Sequence, residues 1–132
     1  MKNLLAVIWS ALGYVLGLWL GPLDGLLLAL CVFMATDYVT GVVAAIKEHK
    51  LSSSVGFIGL LRKLLMLALV GIGHMLDVYV LGDNAGIRTL VIFFYLGNEG
   101  ISILENAGAA GLPVPAKVKD ILAQLREGSD NE

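Results

Sequence analysis

Charge is scarce in this chain. Asp, Glu, Lys and Arg make up 15% of its 132 residues and hydrophobic residues 58%, where ordinary soluble domains carry about 25% charged and roughly 45–50% apolar residues. That balance excludes an ordinary soluble domain, and the net charge of −2 gives no reason to expect a nucleic-acid partner. Cysteine is scarcer still. Cys31 stands alone inside an apolar run, so neither an intramolecular disulfide nor a cysteine-based metal site can form, and its expected role is packing. His74 has no second His or Cys at a metal-ligand spacing. There is no serine elbow and no P-loop: GFIGLLRK, residues 56–63, is glycine-rich but lacks a Ser or Thr after its basic pair. Enzymatic chemistry, a cofactor and a metal ion are therefore not expected.

What the chain has instead is apolar runs near 20 residues long, about the length that crosses a hydrocarbon layer of roughly 30 Å. They cover residues 4–20, 26–46, 64–81 and 87–104. Gly21, Pro22 and Asp24 make a short turn after the first, and Thr36, Asp37 and Thr40 interrupt the second. KEHKLSSS, residues 47–54, is a polar connection with capping serines, while GDNAG, residues 82–86, reads as a turn. Lipid offers no hydrogen-bond partners, so each run must be a helix.

The expected fold class is all-α, an integral membrane bundle of four transmembrane helices over residues 1–108, with three spans as the alternative. Residues 109–132 form a cytoplasmic tail. In it Val118, Ile121, Leu122 and Leu125 define one face of a short amphipathic helix that should lie on the membrane or pack on a sister subunit. SDNE reads as a solvated end. Four spans put both termini on one side, and eight of the nine basic residues then share it: Lys2, Lys47, Lys50, Arg62, Lys63, Lys117, Lys119 and Arg126, with Arg88 alone opposite. Both ends should be cytoplasmic, with Lys47, Lys50, Arg62 and Lys63 as a basic anchor. Three spans would leave the C-terminal basic residues outside. The first run is longer than a signal-peptide core and no small-x-small site follows it, so it reads as a retained anchor.

Gly13, Gly17 and Gly21 recur every four residues in the first run. Such spacing lets a second backbone approach closely, which suggests a packing face toward another span or another copy of the chain. Asp37 lies nine residues before Ile46, about 13 Å inside its helix, and Glu99 and His74 come out at comparable depth, roughly 10 to 17 Å from the same side. A belt of ionisable groups is implied. On the fourth helix Arg88, Tyr95, Asn98, Glu99, Ser102, Glu105 and Asn106 fall on one side, and Leu90, Phe93, Phe94, Leu96, Ile101, Ile103 and Leu104 on the other. Lys63, His74 and Asp77 share a face of the third helix, and Asp37, Thr40, Gly41 and Ala44 one of the second. These polar faces suit a water-filled lumen or a subunit interface. The alternative is a closed bundle with charges paired internally, for example Arg62 or Lys63 with Glu105.

FYLGNEGISILENAGAAGLPVPAKVKDILAQL, beginning at Phe94, resembles the signature region of the toxin secretion/phage lysis holin family. Upstream, Asp37 and Gly41, KLSSS, Gly59 with Arg62 and Lys63, then Asp77 and Arg88 are similar in order, so the resemblance covers residues from about 26 to 126. It implies a holin: a protein that accumulates in the bacterial cytoplasmic membrane, assembles as a homo-oligomer and opens lesions that release a muralytic enzyme or another protein. Family members are often drawn with three spans, against the four read here. The resemblance transfers no catalytic residues. A four-span proton-coupled exporter of small cations and a regulatory antiholin are the competing classes. Against the exporter, the first helix here carries no charge and the polar residues concentrate toward the last.

Overall fold

The structure, a computed structural model, describes residues 1–82 and 84–130, the side chains of Ser129 and Asp130 excepted. Asp83 of the expected GDNAG turn and Asn131 and Glu132 of the expected solvated end lie outside the described residues.

The chain is all-α among the described residues. Its helices are α1 (Lys2–Leu20), α2 (Gly25–Lys47), α3 (Ser53–Met75), α4 (Ile87–Ala109) and α5 (Ala116–Asp130), and α3 continues without a break into a π-helical stretch, Leu76–Leu81. Four helices are long and apolar enough to span a bilayer: Lys2–Leu20, Gly25–Lys47, Ser53–Leu81 and Ile87–Ala109. At 1.5 Å per residue a 23-residue helix reaches about 34 Å, slightly more than the hydrocarbon thickness.

α3 begins at Ser53, with Ser52 at its N-cap position as the capping serines suggest, well before the apolar run at Leu64. Hydropathy marks where hydrocarbon begins, whereas helix geometry continues through GFIGLLRK, whose Phe57, Ile58, Leu60 and Leu61 stay exposed. Lys63 is thereby about 15 Å inside its helix. It leaves the basic anchor, which keeps Lys47, Lys50 and Arg62.

α4 is the hub of the bundle. It packs on α2, α3 and α5, while α1 touches α3. Leu27, Leu30 and Met34 of α2, Val70 of α3 and Ile92 and Leu96 of α4 form the core. Leu96, on the apolar side of α4 by its helical phase, is a core residue. So small a core fits a bundle whose outer surface meets lipid, where burial of apolar area adds little and close backbone approach matters more. Glycine provides that approach. A methyl group at Gly71 would overlap the Trp19 indole of α1, and one at Gly73 would lie 3.0 Å from Cα of Arg88.

Within the subunit the glycine spacing on α1 does not form a packing face. Gly21 lies beyond the helix end with φ 81°, in the left-handed region that disfavours other residues, while Gly13 and Gly17 have nothing within 4 Å of a would-be Cβ. α1 buries no residue, so its contact with the bundle runs through its last turn and the chain that follows.

α5 folds back along α4 of its own chain. Gly100 faces Leu122, Gly97 faces Leu122 and Arg126, and Gly86 and Thr89 share a cavity with Gln124 and Gly128, so the two helices run antiparallel. A Cβ at Gly97 would come within 2.9 Å of the Arg126 backbone nitrogen and the Leu122 carbonyl oxygen.

Candidate functional site

Two polar clusters lie at different depths of the bundle, one in its interior and one at an end. The first joins α2, α3 and α4. Lys63 Nζ donates to Asp37 Oδ2 and to Glu99 Oε2, each at 2.6 Å. Asn106, two turns from Glu99, donates from Nδ2 to Asp37 Oδ1 at 3.0 Å, to the Asp37 carbonyl at 3.1 Å and to Thr40 Oγ1 at 3.1 Å. The Glu99 side chain is 4% exposed and that of Lys63 13%. One ammonium between two carboxylates leaves a formal charge of −1, which an enclosed apolar site would not tolerate. A cavity of about 470 Å³ meets this need, with Asp37, Lys63 and Glu99 in its lining and Lys50, Arg62 and Glu105 among its other lining groups. It gives water a polar path toward the triad from the end that carries the α2–α3 connection.

The second cluster closes the other end. Asp77, in the π-helical stretch, accepts from the backbone N–H of Ile87 at 2.9 Å and of Arg88 at 3.0 Å, and so caps the start of α4. Arg88 then reaches back to the α1–α2 turn. Its Nε donates to the Leu20 carbonyl, its Nη2 to the Pro22 carbonyl and its Nη1 to Asp24 Oδ2, all at 2.8 Å. Asp24 in turn accepts from Leu27 N–H at 2.9 Å and caps α2. The Arg88 guanidinium holds the Asp24 carboxyl below the ordinary carboxylate range, with burial opposing it. This clasp fixes three helix ends through one planar fork, a task that suits Arg and not Lys.

The expected single belt of ionisable groups is therefore two tiers. Lys63 and His74 are eleven residues apart on α3, about 16 Å along the axis, and His74 lies beside Gly21 and Arg88 at the clasp. Asp37, Glu99 and Asn106 share the first tier, and Ser102 and Glu105 line its cavity. Arg88 and Asp77 belong to the second, so the continuous stripe expected on α4 is divided by buried Ile92 and Leu96. Asn98 is half-buried and belongs to neither hydrogen-bonded cluster. Arg62 and Glu105 are exposed, and the suggested ion pair of Arg62 or Lys63 with Glu105 is not among those of the described residues. Lys47 is exposed, and exposed Lys50 lies 3.9 Å from Glu48.

Several participants escaped the sequence reading. Asp24 passed as a turn residue although an Asp directly before an apolar run is an N-cap signal. Gly97 and Gly100 carry a visible small-residue spacing, whereas the pairing of Gly71 with Trp19 has no local signature. On α5, Lys119, Asp120, Gln124 and Glu127 are exposed while Leu122, Leu125 and Arg126 are half-buried. Alongside a spanning helix this outer face cannot meet lipid, since an Asp or Lys at mid-bilayer costs about 2.5–3.5 kcal/mol.

The model of the bacteriophage holin family matches residues 14–127. The 14.9 kDa protein in the nagH 3' region of Clostridium perfringens is 40% identical, covering 95% of this chain and 97% of that protein. The protein Lin0175 of Listeria innocua is 39% identical over 100% of this chain and 94% of its own length. A probable holin of Bacillus phage phi105 is 33% identical, with 73% of this chain and 70% of the phage protein covered. No solved structure matches the chain.

Proposed function

The chain belongs to the bacteriophage holin family, and on that premise we propose that it oligomerises in the bacterial cytoplasmic membrane and opens lesions. Through them an endolysin or a toxin leaves the cell, ending in host lysis or protein secretion. Membership in that family supports a lesion-forming role and not an enzymatic one. The observation that carries the finer reading is the Asp37–Lys63–Glu99 triad: three charges deep in a membrane bundle, joined by hydrogen bonds and lined by a cavity. In the lone subunit each charge has a partner. When copies assemble, the cavity side, with Ser102, Glu105 and Asn106, becomes the wet face of the lesion or of a subunit interface, and the clasp of Arg88, Asp77 and Asp24 keeps the far end of each bundle closed. A charge that shifts across the whole field is worth about 2.3 kcal/mol per 100 mV, which gives the membrane potential a hold on this equilibrium. Lys2 and the basic residues near the α2–α3 connection support a cytoplasmic location for the N-terminus, whereas docked α5 carries the chain toward the Gly86 end of the bundle.

The test is induction of the gene in a bacterial host while membrane potential and leakage of a cytoplasmic enzyme are followed. Abrupt collapse of the potential with enzyme release is expected. Resistance to a cationic drug without collapse would overturn the reading in favour of an exporter, and silence combined with delay of a co-expressed holin in favour of an antiholin.

A further inference from the structure

We infer that α5, seated in the glycine groove of α4, is the wall that faces water in the open assembly, an inference that rests on the holin reading above. Gly97 and Gly100 remove the side chains that would keep another helix away, and both are buried beneath α5. Contact at Gly97 is with backbone atoms of Leu122 and Arg126, so no rotamer change there would make room for a larger residue. The docked helix also passes the middle of α4 and continues toward Gly86, at the depth of the hydrocarbon layer and not at its surface.

The outer face of α5 then decides what lies beyond it. Lys119, Asp120, Gln124 and Glu127 are exposed there, and none takes part in an ion pair among the described residues. Unpaired charges of both signs at that depth require water. Exposed Val118 and Ile121 beside them offer an apolar edge to the neighbouring copy. In the single subunit α5 already lies in the groove, so this charged face requires neighbouring copies that enclose water against it. The charges of docked α5 therefore line the passage that assembly encloses.

The experiment uses the purified full chain in planar bilayers of phosphatidylethanolamine and phosphatidylglycerol under a salt gradient. Lys117→Glu/Lys119→Glu makes the outer face acidic and should shift the reversal potential toward cations, with a several-fold gain in cation over anion permeability. Gly97→Leu, which fills the groove, should insert at the wild-type level and lose conductance. Gly108→Leu should keep conductance, since nothing lies within 4 Å of a Cβ there. Unchanged selectivity in the charge variant, or wild-type conductance from Gly97→Leu, overturns the inference and leaves the holin reading intact. A wild-type protein that never conducts overturns both.

Discussion

Nζ of Lys63 lies 2.6 Å from Oε2 of Glu99 and equally close to Oδ2 of Asp37, so one cation ties three helices together in the interior of the bundle. Removing a single member of such a group leaves the others unmatched. Lys63→Met should lower stability by about 3–5 kcal/mol. The triple variant Asp37→Asn/Lys63→Met/Glu99→Gln should recover the larger part of that loss. Unfolding in mixed detergent micelles measures both, and equal losses in the two variants would mean that packing, not charge, holds the helices. In cells Glu99→Gln should insert normally and change lysis timing or abolish lesions, with exposed Leu65→Ile as the neutral control.

Arg88 satisfies two carbonyls and one carboxylate at once. An ammonium cannot reproduce that fork, so Arg88→Lys should cost about 3 kcal/mol, the worth of one or two charge-assisted hydrogen bonds. The same unfolding assay tests it. A loss below about 0.5 kcal/mol, the low end for a single hydrogen bond, would show that the clasp does not hold α1 and α2.

Acid should weaken the clasp through Asp24. Its folded pKa lies below the ordinary value, with the Arg88 hydrogen bond as the largest cause. Stability from this pairing is therefore fully present above about pH 4, the unfolded carboxylate range, and disappears as pH falls through the lower folded value. Wild type and Asp24→Asn should differ by a constant amount at neutral pH and converge in acid. The difference is small, because the side chain is 40% exposed and solvent screens the pair.

Gly17 faces open space, so a larger side chain fits within the subunit. Gly17→Leu should leave insertion and unfolding unchanged and shorten the ladder of cross-linked oligomers, because bulk at this face separates one copy from the next. A ladder identical to wild type at matched expression would assign the face to lipid.

The topology can be read from single cysteines in a Cys31→Ser background. Asn84→Cys, between α3 and α4, should react with an impermeant thiol reagent in intact cells. Asn3→Cys should stay unlabelled until lesions form, while Glu127→Cys, which docked α5 carries to the Gly86 end of the bundle, should react like Asn84→Cys. Early labelling at residue 3 would contradict a cytoplasmic N-terminus, and protection of residue 127 would contradict the seating of α5 along α4.

Much of the architecture was legible in residue order. The number of spans follows from apolar runs long enough to cross a bilayer, because the length requirement is set by lipid and not by the rest of the fold. The amphipathic character of α5 likewise needs only the spacing of Val118, Ile121, Leu122 and Leu125. Which charges meet was a different matter. Phase along α4 put Arg88 and Glu99 in one stripe, yet they pair toward opposite ends, since a helical wheel discards the axial coordinate. Lys63 looked like a surface anchor because hydropathy does not report where a helix begins; only the start of α3 at Ser53 brings its ammonium level with Asp37 and Glu99. The seating of α5 against Gly97 and Gly100 was decided by tertiary structure too, because a missing side chain becomes a groove only when a second helix lies across it.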